Sequence, residues 1–407
     1  MQKIKVGILL TFIIALSSCV QKNELVYEEY TFEIQGFTWD PQPYKFSEYI
    51  QDSVLSDFGR EYAAWDFSYI GDIDNMLRTW DIDASPKDTL SELEISSFRN
   101  FSDHDAEPII IDKSKEAKVV IINEAHQMPQ HRVFTTNLLQ DLYNVGYRHL
   151  GMESFFASKI SDSTLIANKY PVLTNGYYTK EPQYGNIIRQ AVKIGYKVFG
   201  YESQGHSNPA EREIYQAKNI KAYIESNPEG KYLIHCGFAH GAEGIYGGTL
   251  EKTMAARLTE FTGIDPLSID QTIHSEKSNK EYENPYYQLT DVDEPTISMH
   301  NDSIFGQYRE GTWFDISVFH PRTKNFERPK WLLTGKRTIQ SINFKNEEIE
   351  CPCLVFAYLD NEEVGKAVPY DIQETANKAV KLVLEKGKYN IIILNGENRA
   401  LKANMDY

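Results

Sequence analysis

The central part of the chain alternates between short apolar runs and segments with helical periodicity. Val119 to Ile122 form one apolar run, and apolar residues then recur at helical spacing as far as Gly146. A second short apolar run, His149 to Met152, follows. Strand, helix and strand in this order are typical of a parallel α/β sheet. The pattern therefore predicts an α/β core built on parallel strands.

The same alternation continues and predicts the rest of this core, over residues 118–336. The predicted elements are a helix at 186–194, a strand at 196–201, a helix at 210–225, a strand at 231–235, a helix near 249–262, and strands at 266–273 and 313–321. Residues 160–182 are rich in Tyr and Asn and are predicted to be an insertion. Helices between strands are the crossover connections that a parallel sheet requires.

The regions on either side of the core have different patterns. Residues 19–117 are predicted to be a tether and an N-terminal extension, with helical spacing over 47–80, an edge strand at 109–111, and Trp65 and Trp80 packed on the core. Residues 337–407 alternate with the period of strands, and one helix, 371–385, interrupts them. They predict a small, β-rich C-terminal accessory domain.

Residues 1–18 have the pattern of an export signal. Lys3 and Lys5 precede the apolar run Val6 to Leu16, which is too short to span a bilayer as a helix. The run ends in Leu-Ser-Ser-Cys19, which resembles the lipobox of bacterial lipoproteins. The resemblance implies cleavage before Cys19, lipidation of its sulfur, and anchoring in the cell envelope, at the outer membrane or facing the periplasm. The alternative is a secreted protein with an incidental cysteine.

Charge limits the possible partners, and the cysteine content limits the possible disulfides. The chain of 407 residues has 41% hydrophobic and 25% charged residues, which is ordinary for a globular protein. Its net charge of −16 argues against nucleic acid as a partner. Beyond Cys19 the cysteines are Cys236, Cys351 and Cys353, so at least one thiol has no partner for a disulfide within the chain.

Four predicted strands each end in a carboxylate or an imidazole. These polar ends are Glu124 with His126, then Glu153, Glu202 and His240. In doubly wound sheets, ligands bind at the carboxyl ends of the parallel strands. The four ends therefore predict one functional site.

Glu124 and His126 are two residues apart at a strand end, so both side chains can face one cavity. A carboxylate beside an imidazole suits a general base and its orienting partner. The same pair suits two ligands of a divalent metal such as zinc, with Glu153 and His240 as further ligands. The sequence leaves both interpretations open.

Arg212 lies in the first turn of a predicted helix, where the helix dipole disfavours a cation. An arginine there is predicted to bind a carboxylate or an anionic group of a substrate; a surface salt bridge is the alternative. His131 lies five residues after His126 and is a further candidate to line the site.

These motifs together resemble the erythromycin-esterase/ChaN-like superfamily, which includes the Tiki and TraB proteins. The resemblance rests on Asn-Glu-Ala-His at 123–126, Met-Glu at 152–153, Arg-Glu at 212–213 and Gly-Phe-Ala-His at 237–240. It covers residues 118–272, and Asn123 and Gln216 depart from the family pattern. It implies an α/β domain with an acidic, histidine-bearing pocket, whose site residues would be Glu124, His126, Glu153, Arg212 and His240.

Three alternative functions are open, and the resemblance implies the first two. The first is an envelope-anchored hydrolase that cleaves an ester or a peptide bond in a small-molecule or peptide substrate, with a metal site as one variant. The second is a haem- or iron-binding lipoprotein without catalytic activity, in which exposed Tyr and His residues, such as His131 or Tyr184, would be axial ligands. The third is an adaptor with a vestigial pocket. The sequence contains no Gly-x-Ser-x-Gly motif, so a covalent serine mechanism is not expected.

Overall fold

The computed structural model describes residues 25–54, 57–156, 165–202, 208–306, 311–324, 327–344 and 349–407. The predicted export signal and Cys19 lie outside the described residues, so both stay predictions. In the described part of the chain, no helix is long and apolar enough to cross a bilayer. Cys236, Cys351 and Cys353 are all free thiols.

The elements follow one another in three groups. The N-terminal group is β1 (Glu28–Tyr30), α1 (Ser47–Ser53), α2 (Asp57–Tyr69), α3 (Ile73–Trp80), α4 (Glu92–Phe98), β2 (Ser102–Asp105) and α5 (Ala106–Ser114). The central group is β3 (Val119–Glu124), α6 (Pro129–Asn144), β4 (Tyr147–Phe156), α7 (Pro182–Ile194), β5 (Lys197–Glu202), α8 (Pro209–Ser226), β6 (Lys231–Gly237), β7 (Glu243–Gly244), α9 (Met254–Thr262) and β8 (Leu267–Asp270). The last group is β9 (Thr296–His300), β10 (Ser303–Ile304), β11 (Thr312–Trp313), β12 (Ile316–Ser317), β13 (Thr338–Asn343), β14 (Cys353–Leu359), β15 (Asp371–Thr375), β16 (Ala379–Leu384), β17 (Lys388–Asn395) and β18 (Ala400–Asp406).

The core is a six-stranded sheet in the order β12-β8-β3-β6-β4-β5. Every neighbouring pair in it is parallel. Strand β3 is buried along its whole length, as expected for a parallel strand covered on both faces. The predicted α/β core is therefore confirmed.

Helices cover both faces of this sheet. Apolar residues of α6 and α7 pack with Val120 and Ile122 of β3 on one face. Apolar residues of α8 and α9 pack with Val119 and Ile121 of the same strand on the other face. The alternation of side chains along β3 supplies both layers, because successive residues of a strand point to opposite faces.

Strands β3 and β6 are neighbours whose outgoing connections diverge. The chain leaves β3 for α6 on one face, and it leaves β6 for α9 on the opposite face. Such a divergence opens a crevice at the carboxyl ends of the two strands, the usual ligand site in open α/β sheets. Glu124 ends β3 and Gly237 ends β6, so both residues border this crevice.

The C-terminal region is β-rich, as predicted. Its antiparallel sheet has the order β1-β18-β17-β14-β15, and β13 pairs with β16 beside it. Strand β1 belongs to the N-terminal extension, and helices α1 to α3 share a hydrophobic cluster with this sheet. The same cluster contains Ala125 and Met128, which flank His126. The N-terminal extension therefore packs between the C-terminal sheet and the crevice.

Three secondary-structure predictions are wrong. Residues 371–385 form β15 and β16, where Ile372, Val380, Leu382 and Leu384 are buried at strand periodicity despite their helix-favouring neighbours. Residues 109–111 lie in helix α5, which buries Ile110 and leaves the flanking isoleucines only partly covered. Residues 312–317 contribute two strands of two residues each instead of one long strand.

Candidate active site

Glu124 and His126 form a closely paired dyad at the end of β3. Nδ1 of His126 lies 3.0 Å from Oε1 of Glu124, and both side chains are almost completely buried. Arg132, the fourth residue of α6, holds the carboxylate in a fork: its Nε donates to Oε2 and its Nη2 donates to Oε1, each at 2.7 Å. The same Nη2 donates to the backbone carbonyl of His126 at 2.8 Å. One guanidinium thus fixes both members of the dyad.

The charge state of Glu124 follows from these neighbours. Burial by itself raises the pKa of its carboxyl group, but Arg132 and His235 lower the pKa by more than burial raises it. An ionised carboxylate can only accept hydrogen bonds, so the bond to His126 requires the proton on Nδ1. Neutral His126 then has its lone pair on Nε2, the nitrogen from which it can accept a proton.

An aromatic box surrounds the His126 ring. The Tyr178 ring stacks on it, with centroids 4.0 Å apart and an interplanar angle of 17°. Phe238 contacts it at 4.9 Å and Trp65 at 5.7 Å, both in edge orientations. A Cβ atom on Gly237 would lie 2.2 Å from Cε1 of His126, so only glycine allows the ring to approach the end of β6 this closely.

Glu153, from β4, faces the dyad across Gly237. Its Oε2 accepts a hydrogen bond from the Gly237 amide, and its Oε1 accepts one from Nη2 of Arg212 at 2.6 Å. Burial raises the pKa of this carboxyl group, but His240, Arg212, His126 and the Gly237 amide together lower it to about 2. Glu153 is therefore ionised at neutral pH.

Arg212 links three parts of the site. Its Nε donates to Oε1 of Glu202 at 3.1 Å, its Nη2 contacts Glu153 and Glu202, and its Nη1 lies 3.0 Å from Nε2 of His240. The carboxylates that Arg212 binds are thus supplied by the protein itself. Its side chain is 32% exposed, so solvent reaches this side of the site.

His240 forms a second imidazole–carboxylate pair. Its Nδ1 lies 2.6 Å from Oε1 of Glu213, and its Nε2 lies 3.5 Å from Oε1 of Glu153. Glu213 is fixed in turn, because its Oε2 accepts a hydrogen bond from the Met254 amide at 2.6 Å. Burial lowers the pKa of His240, but Glu153 and Glu213 outweigh burial and raise it.

All five predicted site residues therefore converge on the crevice. Glu124 and His126 line one wall, His240 and Arg212 line the other, and Glu153 lies between the two walls. The arrangement brings two imidazoles, each paired with a buried carboxylate, into one polar cleft.

The four residues predicted as metal ligands do not fit that role. No three His, Cys, Asp or Glu side chains of the described chain are grouped in a way that could hold a metal ion. The oxygens of Glu124 already accept hydrogen bonds from Arg132 and His126. Those of Glu153 accept from Gly237 and Arg212. A divalent ion would have to compete with guanidinium groups for each carboxylate.

The two residues predicted as haem ligands are fully buried in the core. Nδ1 of His131 accepts a hydrogen bond from the Ala125 amide at 3.0 Å, so neutral His131 carries its proton on Nε2 and has no lone pair there for iron. Tyr184 lies beneath the Arg132 guanidinium, and burial raises the pKa of its phenol far above its usual range. A phenolate ligand is therefore disfavoured, and the two residues do not fit a haem site.

Arg132 and Glu181 are the main components that the sequence analysis did not single out. Nη1 of Arg132 donates to Oε2 of Glu181 at 3.0 Å, and both side chains are buried. One signal was available for Arg132. It lies in the first turn of its helix, where the dipole disfavours a cation, which is the same argument that selected Arg212. Nothing in the sequence pointed to Glu181 or Tyr178, because both lie in or beside the predicted insertion.

Comparison with known proteins gives only remote similarity. No protein-family model matches the chain, and no curated protein matches it. The solved structures that align with it include the type III effector HopBA1 (13% identity, TM-score 0.30, 45% of this chain and 94% of that one), a structure described as bacterial protein toxins (12%, 0.29, 52% and 44%), and RRSP, a MARTX toxin effector domain from Vibrio vulnificus (16%, 0.28, 52% and 41%). The alignment spans less than half of the second and third chains. Similarity at this level carries no argument about function.

Proposed function

We propose that the protein is a hydrolase of ester or peptide bonds in which His126 activates a water molecule. The observation that supports this most directly is the buried dyad, with Nδ1 of His126 at 3.0 Å from Glu124 and Arg132 forked onto the same carboxylate. This arrangement leaves Nε2 of His126 to accept the proton of an attacking water. Membership of the erythromycin-esterase/ChaN-like superfamily is part of the proposal and rests on the sequence motifs.

The dyad can also supply the proton that the second half of the reaction needs. When the tetrahedral intermediate collapses, the leaving alkoxide or amine must take up a proton. His126, which holds the proton of the attacking water on Nε2, can return it to the leaving group. Glu153, held between the two walls, would favour the cationic form of His126 as it appears during turnover.

The location of this activity is a further part of the proposal. The pattern of residues 1–19 supports export and anchoring through lipidated Cys19. Lipid anchoring would be supported if the wild-type protein partitions into a detergent phase and Cys19→Ser partitions into the aqueous phase. Aqueous partition of both proteins would contradict it.

The hydrolase proposal is tested with chromogenic esters and peptides. We expect His126→Gln and Glu124→Gln to lower kcat/KM by at least about 100-fold, the usual contribution of general base catalysis. His149→Gln is the matched control, since His149 is a buried histidine on β4 whose ring bonds Glu229 and Tyr223 away from the site. Circular dichroism would establish that each variant is folded. A folded His126→Gln protein with wild-type turnover would contradict the proposal.

A further inference from the structure

A hollow of about 190 Å³ lies beside the candidate active site, on the same edge of the sheet. Its walls carry the aromatic residues Phe238, Tyr246, Trp313 and Phe314. Its polar lining comes from Asn123, Asp270, Thr272 and Thr312. Trp313 is 38% exposed, so the hollow has a wall in contact with solvent. We propose that it binds an uncharged, hydroxyl-bearing ring, such as a sugar, as one part of a substrate that also reaches His126.

The hollow and the candidate active site share a wall. Phe238 lines the hollow, and its ring also contacts the His126 ring at 4.9 Å. Asn123 lies next to Glu124 in β3, and Asp270 ends the neighbouring strand β8. The hollow thus occupies the β3–β8 half of the carboxyl edge, while the dyad and Glu153 occupy the β3–β6–β4 half. A ligand lying across Phe238 would contact both.

The shared wall is fixed before any ligand arrives. Nδ2 of Asn123 donates to the Phe238 carbonyl at 2.8 Å and to Oδ1 of Asp270 at 2.7 Å. Phe238 has a φ of +41°, an uncommon conformation for a residue with a large side chain, and such conformations cluster at ligand sites. Trp80 stacks on its ring at 5.8 Å. A pre-formed wall lowers the entropic cost of binding.

The lining polar atoms select the ligand chemistry. Both N–H groups of the Asn123 side chain already donate hydrogen bonds within the protein. The Thr272 hydroxyl donates to Oδ1 of Asp270 at 2.8 Å. The Asp270 carboxylate accepts from Asn123, from the amide and hydroxyl of Thr272 and from the Ile273 amide, which fills its acceptor sites, so further hydrogen bonds are accepted by the Thr272 hydroxyl oxygen. A ligand that donates, through hydroxyl groups, meets this requirement.

The charges of the lining argue against an anionic ligand. None of the described residues that line the hollow is Lys or Arg, so an anionic group would find no side-chain cation there. The Asp270 carboxylate already accepts hydrogen bonds from the amides of Thr272 and Ile273, at 3.1 and 3.2 Å, and these partly offset its charge. Four aromatic walls instead favour a ring that presents C–H groups or a flat face to them. An uncharged ring with hydroxyl groups suits both the aromatic walls and the polar lining of the hollow.

Calorimetric titration of the full chain tests the proposal without relying on turnover. The probes are methyl glucoside, methyl galactoside and methyl N-acetylglucosaminide as sugars, with cyclohexane carboxylate as an anionic ring. We expect saturable binding of at least one sugar and none of the carboxylate. Trp313→Ala and Thr272→Val should each weaken that binding about tenfold or more, whereas Trp39→Ala, a change at another exposed tryptophan, should not.

The role of the hollow in catalysis rests on the proposed function. A further variant distinguishes a failure of the binding proposal from a failure of the hydrolase proposal. His126→Gln should bind the sugar as tightly as the wild type, because Nε2 of His126 does not line the hollow. Retained binding with no hydrolysis by the wild type would support the hollow and contradict the hydrolase. Absence of binding by all three sugars, or binding that Trp313→Ala leaves unchanged, would overturn the assignment of the hollow.

Discussion

Arg132 and Arg212 occupy equivalent positions in their helices but have different surroundings. Each is the fourth residue of a helix that begins with proline, in Pro-Gln-His-Arg of α6 and Pro-Ala-Glu-Arg of α8. Each bridges two carboxylates, Glu124 and Glu181 in one case and Glu153 and Glu202 in the other. Arg132 is fully buried, whereas the Arg212 side chain is 32% exposed.

The difference in burial separates two roles for the same residue type. A buried guanidinium cannot exchange its carboxylates for water, so Arg132 fixes the Glu124–His126 dyad permanently. A partly exposed guanidinium loses less interaction energy when it moves, because water replaces its carboxylates. Arg212 can therefore rearrange as a substrate enters. Arg132 is therefore expected to govern stability, and Arg212 the response of the site to its ligand.

Replacement of Arg132 should produce the largest effect on stability. In Arg132→Met, the carboxylates of Glu124 and Glu181 remain buried without their cation, and we expect a loss of about 3–5 kcal/mol in the free energy of unfolding. Arg132→Lys keeps the charge but not the fork, so its loss should be smaller. Urea denaturation followed by circular dichroism measures both values. An Arg132→Met protein within about 1 kcal/mol of the wild type would contradict the structural role of this arginine.

Acid should weaken the site through Glu153. The pKa of Glu153 is lowered from 4.5 to about 2, so its contribution to stability is fully present above pH 4.5 and is lost as the pH falls toward 2. Glu153→Gln lacks this contribution at every pH. We therefore expect the difference in unfolding free energy between the wild type and Glu153→Gln, a few kcal/mol at neutral pH, to shrink through this range. Urea titrations at several pH values measure it, and a difference independent of pH would contradict the ionised state of Glu153.

The sequence predicted the part of the site that depends on strand ends. Glu124, Glu153 and Glu202 each follow or end an apolar run, and parallel strands carry such residues to one edge whatever the details of packing. The helix predicted over residues 371–385 is wrong, because helix-favouring residues there lie on strands whose apolar side chains alternate. Local propensity was outweighed by burial in the C-terminal sheet.

The sequence could not predict the part that depends on distant segments. Tyr178 and Glu181 reach His126 and Arg132 from beyond β4, and Trp65 arrives from the N-terminal extension. Their spacing from the strand ends carries no periodic signal, so their convergence is a property of tertiary packing alone. The extension was predicted only to pack on the core, yet its Trp65 also forms one side of the aromatic box around His126.

Replacement of Arg212 should have the smallest effect on stability and should reveal the difference between the two arginines most clearly. In Arg212→Met, Glu153 keeps the Gly237 amide and His240 as partners, and solvent reaches the vacated side. We expect a loss of about 1–2 kcal/mol in the free energy of unfolding, well below that of Arg132→Met.

If the proposed hydrolysis holds, turnover should nevertheless fall by about tenfold or more in Arg212→Met, because Glu202 and His240 lose the cation that orients them. Arg399→Met, which removes a guanidinium that pairs with Glu29 on the surface, is the control. Equal losses of stability in Arg212→Met and Arg132→Met would mean that burial does not separate the two, and both would then be structural.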